Sequence, residues 1–485
     1  MTAATLKTLL ADIPDLVWTG PKDDVRVHNL ALHHETVIPN SLFFAFPGHQ
    51  TDGHRFIHEA ISRGANVVVS ERPFKPHGNL VHIQSRNVRS LAATLAKRFF
   101  GAGDERLNLI GITGTSGKST VAGLLKHVLC EGYGEKTGLL GTLQYDLGER
   151  LLPAVRTTPD VLSFHRFLNE MGKASCRNAV VEVTSHALEQ ERVRGARFQT
   201  AVFNNLSHEH LDYHGTMEAY FEAKKKLFQS SPGRAIINVD DPFGRRLWEE
   251  FSSSGTSFGM SHAATLRAEN RVHIPEGTRF DFVSPDGRWK VLSPLVGDFN
   301  VFNVLAVLAV VYAEGRPIPP ALQALKTFGG VPGRMERFVR HGLQVYVDYA
   351  HKPDALENVL STLRPLTKGR LNVVFGCGGN RDRSKRPQMM AVAQKWADFC
   401  WVTSDNVRFE TAAEIFEDMK SGISDFQRLQ FVEDRRDAIG QAFSQCQPGD
   451  ILLVAGKGHE CFQEVRGQRL PFCDVEVIKS LLIRD

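Results

Sequence analysis

The sequence predicts an α/β protein of three domains built on parallel sheets, and three observations carry that expectation. Short β-branched runs recur with helical stretches between them. Most of these runs stop abruptly in glycine or in a cluster of polar residues. Two glycine-rich breaks divide the chain. Strands that alternate with amphipathic helices are the pattern of parallel sheets covered by helices.

The runs read as strands are Ala65–Ser70, Leu107–Thr113, Asn178–Val183, Thr200–Asn204, Ala235–Val239, Val345–Asp348, Leu371–Phe375, Phe399–Thr403 and Ile451–Ala455. Val88–Phe100, Ser119–Leu129 and Asn300–Tyr312 have the spacing of amphipathic helices. Six strand ends run straight into polar chemistry. These are the glycine loop after Thr113, Thr184-Ser185-His186, His208 to Asp212, Tyr349-Ala350-His351, Gly376 to Asp382, and Gly456 to Glu460. Ligands of open α/β sheets bind at the carboxyl ends of the strands, so the pattern is one of a binding protein.

The breaks Gly101 to Glu105 and Gly329 to Gly333 give expected domains of 1–103, 104–330 and 331–485. A chain of 485 residues is too long for one hydrophobic core. A hydrophobic share of 42% with 23% charged residues is that of a folded soluble protein. Net charge is only +4, which gives no support to nucleic acid as a partner. Seven cysteines without CxxC spacing read as reduced thiols of a cytoplasmic protein. No signal peptide and no membrane span are expected, and a monomer is expected.

The glycine loop Gly114-Thr115-Ser116-Gly117-Lys118-Ser119 lies between an expected strand and an expected helix. Backbone N–H groups and the helix N-terminus would face phosphates, Lys118 would add charge, and a hydroxyl could reach Mg²⁺. The spacing is unusual, because Ile112 stands where a first glycine is expected. The plainer alternative is a tight strand–helix turn with a surface lysine.

Three further residues stand out. Glu182 falls inside an apolar run, so it is either buried at a cost or used on a metal. His210 lies in a segment, Asn205 to Gly215, unusually rich in histidine and acid, although its spacing matches no zinc motif. Lys224 shares a helical face with Met217, Tyr220, Phe221, Leu227 and Phe228 in an expected helix from Thr216 to Phe228. An ammonium facing inward must meet an acid, be chemically altered, or snorkel along the apolar face.

Taken in order, Gly114–Ser119, Glu182–His186, Asn205–Gly215, Gly333-Arg334-Met335-Glu336, Asp348-Tyr349-Ala350-His351 and Gly456–Glu460 resemble the motifs of the Mur ligases, most nearly those of the MurE type. The likeness covers nearly the whole chain. It implies a UDP-binding α/β domain, a central P-loop ATPase-like domain with a parallel sheet, and a C-terminal Rossmann-like domain. It also implies an ATP-dependent ligase of peptidoglycan precursor synthesis. Such an enzyme adds a diamino acid to the D-Glu γ-carboxylate of UDP-N-acetylmuramoyl-L-alanyl-D-glutamate through an acyl phosphate.

The resemblance assigns ATP to Thr115, Ser116, Gly117, Lys118, Ser119 and Thr120, with Asn300, Asn303, Arg334 and Asp348 also on the nucleotide. It assigns two Mg²⁺ ions to Ser119, Glu182, His210 and Lys224, the last as a CO₂-derived carbamate, and makes Lys118, Glu182, His210 and Lys224 the catalytic set. The UDP-sugar dipeptide falls to Leu32, His34, His49, Gln50, Thr51, Thr157, Thr158, Thr184, Gln190 and Arg192. The incoming amino acid falls to Arg381, Asp405, Asn406, Val407, Arg408, Gly456 and Glu460.

Three positions depart from the family pattern. Asp-Ser-Arg near the uridine is His33-His34-Glu35 here, Arg156 precedes the Thr157-Thr158 pair, and Asp-Asn-Pro-Arg becomes Asp405-Asn406-Val407-Arg408. Arg408 suits capture of a carboxylate, which favours meso-2,6-diaminopimelate over L-lysine or L-ornithine. The rival readings are a folylpolyglutamate-synthase-like ligase and a protein that binds ATP without ligation.

Overall fold

The structure is a computed structural model that describes residues 4–14, 16–20, 25–48, 51–75, 78–230, 233–274 and 276–483. These gather into two compact units, residues 1–266 with 306–321 and residues 267–305 with 322–485. Among the described residues no helix is long and apolar enough to cross a membrane.

Besides the short pair of Ala4–Thr5 with Arg26–Val27, the first unit holds two larger sheets. Its N-terminal sheet runs Val17–Thr19, Val81–Gln84, Ala65–Ser70, Ser41–Ala45, Asn29–Ala31, and all but the first strand are parallel. Val67, Val68 and Val69 are all fully buried, because apolar clusters cover both faces of this sheet. The helix Val88–Phe100 closes one face. The Asn87 side chain accepts from Ser90 N at its start, and Gly101 ends it in the left-handed conformation at φ 90°.

The expected break at Gly101–Glu105 is packed. A Cβ on Gly103 would lie 2.3 Å from Asn169 N, and the buried Asp104 accepts from Lys97 Nζ at 2.8 Å and Arg197 N at 3.1 Å. The first unit therefore continues through it.

The second sheet of this unit is built around β1 (Asn108–Thr113), β2 (Asn178–Glu182) and β3 (Thr200–Phe203). β1 pairs in parallel with β2 on one side and β3 on the other. Being parallel, all three end on the same edge. From that edge rise the helices α1 (Lys118–His127) and α2 (Ser185–Glu189), and α3 (Met217–Gln229) packs behind β1.

The second unit carries α4 (Asp298–Ala313) as far as Leu305. Its sheet contains β4 (Leu343–Asp348), β5 (Leu371–Phe375), β6 (Phe399–Val402) and β7 (Ile451–Ala455). The order is Glu336–Arg340, β4, β7, β5, β6, Leu429–Phe431, parallel except at the first strand. A small hairpin, β8 (Phe462–Val465) and β9 (Gln468–Pro471), follows β7 and leads to α5 (Asp474–Ile483). The fully buried Arg435 ties α5 to β7, with Nη2 on Asp474 Oδ2 at 2.7 Å and on Ala455 O at 2.9 Å.

All nine runs read as strands are strands, with ends that shift by two residues at most. The helix expected from Ser119 starts at Lys118 and turns into a π turn over Val128–Gly132. Missing from the expectation are antiparallel strands, among them Leu266–Ile274, Gly277–Ser284 and Gly287–Ser293. In the last of these the exposed Arg288 and Lys290 alternate with half-buried Trp289 and buried Val291. Such a strand has no continuous apolar run to betray it.

Candidate functional site

In the first unit the glycine loop is folded on its neighbours before any ligand is considered. Gly117 caps α1 at φ 83°, a left-handed conformation that suits glycine. Thr115 N donates to Asn205 O at 2.9 Å, and Ser116 N donates to Asn205 Oδ1 at 2.9 Å. Asn204 and Asn205 return their side-chain N–H groups to Ser116 O. Lys118 folds its Nζ back to Gly114 O at 2.8 Å and Thr115 O at 2.9 Å. A positive charge thus sits over the loop, at the N-terminal end of the ten-residue helix α1.

Glu182 ends β2 and is only 2% exposed. It is not a stranded charge. Its Oε2 accepts from Ser119 Oγ at 2.8 Å and Thr142 Oγ1 at 3.0 Å, and its Oε1 accepts from Thr142 N at 2.9 Å. A Cβ on Gly141 would lie 2.3 Å from Oε1, so the carboxylate occupies a fitted cradle. β1 and β2 are adjacent, and that adjacency joins the hydroxyl of α1 to this carboxylate.

Lys224 faces inward, as its helical phase required, and is 1% exposed. It does not snorkel, and the partners it meets are not acids. Nζ donates to Gly114 O at 2.9 Å and lies 4.7 Å from the centre of the Tyr220 ring. Burial, and next the charge of Lys118, hold its ammonium well below the usual lysine range, while Glu209 pulls partly the other way.

His210 is exposed and begins a short helix at φ 57°. Its ring stands edge-on to His186 at 4.8 Å and to Tyr220 at 5.9 Å. Tyr220 therefore touches both His210 and Lys224, and its hydroxyl lies 3.1 Å from Thr115 Oγ1. Thr120 is buried behind the loop. No group of three or more His, Cys, Asp and Glu is arranged to hold a metal among the described residues. The oxygens of Ser119 and Glu182 fit Mg²⁺, which takes one or two protein oxygens and completes its shell with water and phosphate.

Five of the expected substrate residues meet beside β2. Thr158 Oγ1 donates to Glu182 O at 2.7 Å and lies 3.3 Å from Thr184 Oγ1, and Thr157 Oγ1 is 3.1 Å from Thr142 Oγ1. Arg192 donates to Gln190 Oε1 at 2.6 Å and to Thr158 O at 3.1 Å. Burial, then the charge of Arg156, bring the Arg192 guanidinium down to about 10, with Arg89 of the N-terminal region adding to the effect. The positive charge collected here suits an anionic ligand. Leu32 and Thr51 lie in loops of the N-terminal region and His34 opens the 3-10 turn His34–Thr36; His34 stacks on Phe56 at 4.6 Å and Thr51 is exposed. His49 and Gln50 lie outside the described residues.

In the second unit Asn300 and Asn303 are buried on α4, with Asn303 Nδ2 donating to Asn300 Oδ1 at 2.9 Å. Asp348, at the end of β4, accepts from Met335 N at 2.7 Å and Ala350 N at 2.8 Å. Burial raises its carboxyl, and the neighbouring Arg334 offsets part of that rise. The Arg334 guanidinium lies over the Tyr349 ring at 4.5 Å.

The ends of β6 and β7 form one network. Asn406 Nδ2 donates to Glu460 Oε2 at 2.9 Å, while its Oδ1 accepts from Lys457 Nζ at 3.0 Å and Glu464 N at 2.9 Å. A Cβ on Gly456 would lie 2.8 Å from Asp405 Oδ2, so only glycine leaves that carboxylate its place. Arg408, at φ 54°, donates from Nη1 to Gly379 O at 2.8 Å and brings Nε within 3.3 Å of Glu464 Oε2. Val407 is half-buried beside it, and Arg381 is exposed. Sequence reasoning missed Lys457, which is fully buried, along with Thr142, Asn204, Asn205, Tyr220 and Glu464. Asn205 and Lys457 stand inside motifs already singled out, and that was the available signal.

Three family models match the chain in succession. They are the Mur ligase family catalytic domain over residues 26–99, the Mur ligase middle domain over 112–311, and the Mur ligase glutamate ligase domain over 333–458. The UDP-N-acetylmuramoyl-L-alanyl-D-glutamate–2,6-diaminopimelate ligase of Aquifex aeolicus (strain VF5) is 43% identical over 460 residues, 94% of each chain. A solved structure of a ligase of that name superimposes with a TM-score of 0.72 at 32% identity, covering 99% of both chains. The folylpolyglutamate synthase of Mycobacterium tuberculosis shares the fold, at a TM-score of 0.63 and 19% identity over 82% of this chain and 96% of its own. Three consecutive domain matches, together with a relative of this identity along nearly the full length, establish that the chain belongs to the Mur ligase family.

Proposed function

We propose that the protein uses ATP to join meso-2,6-diaminopimelate to the D-Glu γ-carboxylate of UDP-N-acetylmuramoyl-L-alanyl-D-glutamate, in peptidoglycan precursor synthesis in the cytoplasm. The observation that carries the reading is the meeting of the phosphate loop, Glu182 and the buried Lys224 around one strand end. Relatives of this name along nearly the whole chain supply the substrates. Functional domains of 1–103, 104–330 and 331–485 would then take the UDP-sugar, ATP and the amino acid, in a monomer.

A carboxylate is a poor electrophile, so the γ-carboxylate must first accept a phosphoryl group. Thr115 to Thr120 would hold the phosphates, with Lys118 neutralising charge as the phosphoryl moves. Ser119, Glu182 and His210 would hold Mg²⁺, which when bound supplies further neutralisation. Burial and the charge of Lys118 lower the Lys224 ammonium well below the usual lysine range, which favours the free amine that CO₂ requires. Its carbamate, formed with loss of one proton, would add oxygens for a second Mg²⁺. Asn300, Asn303, Arg334 and Asp348 would orient the nucleotide. Leu32, His34, His49, Gln50, Thr51, Thr157, Thr158, Thr184, Gln190 and Arg192 would hold the UDP-sugar dipeptide. Arg381, Asp405, Asn406, Val407, Arg408, Gly456 and Glu460 would grip the diamino acid, whose amine attacks the acyl phosphate and releases phosphate.

The test is a panel of diaminopimelate, lysine and ornithine, each with ATP and the UDP-sugar dipeptide, read by product mass. The reading expects the diaminopimelate product to dominate. A strong preference for lysine would overturn the part given to Arg408.

A further inference from the structure

Two cysteines close the base of the hairpin that follows the Gly456–Glu460 loop. Cys461 precedes β8, and Cys473 follows β9 and leads directly into α5. Their sulfurs are 3.0 Å apart. Phe472 N donates to Cys461 O at 3.2 Å, next to the paired Phe462 and Pro471, so the two backbones are held side by side. Cys461 is exposed and Cys473 half-buried. The thiols of Cys176, Cys377 and Cys446 instead face Leu147 O, Met389 Sδ and Ala442 O.

We propose that Cys461 and Cys473 are a redox modification site that forms a reversible disulfide on meeting a small-molecule disulfide. One cysteine thiolate attacks a sulfur of the small disulfide, making a mixed disulfide and releasing one small thiolate. The second cysteine then attacks the protein-bound sulfur, and the second small thiol leaves. The two cysteines lose two electrons and two protons, which end on the two small thiols. Closing the sulfurs from 3.0 Å to a bond of about 2.0 Å asks for little backbone movement. That movement is available, because every residue of β8 and β9 is half-buried or exposed. Burial and the adjacent Cys473 sulfur push the Cys461 thiol up to about 11, so Cys461 rests protonated at neutral pH.

The hairpin touches the network described above. Arg408 N donates to Glu464 O at 2.9 Å, Arg466 N to Arg408 O at 2.6 Å, and Glu464 N to Asn406 Oδ1 at 2.9 Å. The functional consequence rests on the amino-acid reading of that network. A staple at the hairpin base pre-orders Glu464 and Arg408. KM for the diamino acid therefore falls severalfold on oxidation while kcat stays.

The experiment treats the reduced full-length chain, kept free of oxygen, with oxidised glutathione. The native chain should lose two hydrogens in intact mass, yield a peptide linked through Cys461 and Cys473, and return to the dithiol with dithiothreitol. C461S and C473S should each stop at a glutathione adduct, and the double variant should keep the reduced-state KM under oxidant. The proposal is overturned if the native chain keeps both thiols, stops at a glutathione adduct, or links a different pair. Should neither redox state ligate, the ligase reading falls while the mass result still decides the disulfide.

Discussion

Among the described residues two lysines, Lys224 and Lys457, are almost completely buried, and they are treated in opposite ways. Lys224, in the first unit, is 1% exposed and meets a carbonyl oxygen and a ring face. Lys457, in the second, is fully buried and sits among acids and amides. It lies 3.4 Å from Glu460 Oε2, 3.9 Å from Asp405 Oδ1 and 3.0 Å from Asn406 Oδ1. Burial makes a charge costly in both places. Around Lys457 the cost is offset by ion pairs, which is how a cation serves as a structural knot. Around Lys224 the neighbouring Lys118 adds to it, and Glu209 offsets only a part. An amine whose proton is held this loosely beside a phosphate loop is a candidate for use as the free base.

The largest effects should come from breaking the first member of the pair. Lys224→Ala and Lys118→Ala should each lower ligation by about a hundredfold or more, the usual scale for removing an electrostatic group from a phosphoryl-transfer site. Circular dichroism should show the fold intact. Full activity in Lys224→Ala would remove the carbamate from the account.

Lys457→Met tests the other member. It strips the counter-charge from Glu460 and Asp405, and loss of one partner of a buried pair costs about 3 kcal/mol. The denaturant midpoint should drop accordingly, and KM for the amino acid should rise with it. An unchanged midpoint would mean that the ion pairs contribute nothing.

Arg408→Lys should be milder. The fork that reaches Gly379 O and Glu464 is lost but the charge remains. We expect KM for diaminopimelate to rise about tenfold with kcat held, the pattern of lost ground-state binding. Equal loss with lysine as substrate would separate Arg408 from the choice of amino acid.

The smallest effect is a pH slope. Lys224 has a folded pKa below its unfolded value, so between the two the unfolded chain binds the extra proton. Stability from this group is therefore lost as pH falls through the folded value, and recovers as pH rises toward about 10.4. In CO₂-free buffer the native chain should gain stability over Lys224→Met between neutral pH and pH 9, by at most about 1.4 kcal/mol per pH unit for one proton. A flat difference would mean that Lys224 is charged in the fold.

The sequence was most readable where one physical rule dominated. Val67, Val68 and Val69 mark a strand because both faces of it are covered. The inward turn of Lys224 followed from helical phase alone. The antiparallel Gly287–Ser293 escaped because its exposed Arg288 and Lys290 break the apolar run. Among site residues, Lys457 was passed over because its surroundings join Glu460 of its own loop to Asp405 and Asn406, brought to it by the parallel order of β6, β5 and β7. The contact of Cys461 with Cys473 was hidden in the same way, since a separation of twelve residues carries no sign of the hairpin that closes it. The tight hold of Asn204 and Asn205 on Ser116 likewise depends on β3 lying beside β1.

The most direct measurement of the central claim is phosphate release counted against amide formed, with each substrate omitted in turn. Ligation through an acyl phosphate predicts one phosphate per amide, and no sustained release without both the UDP-sugar dipeptide and the diamino acid. Phosphate release that continues independently of both would contradict it.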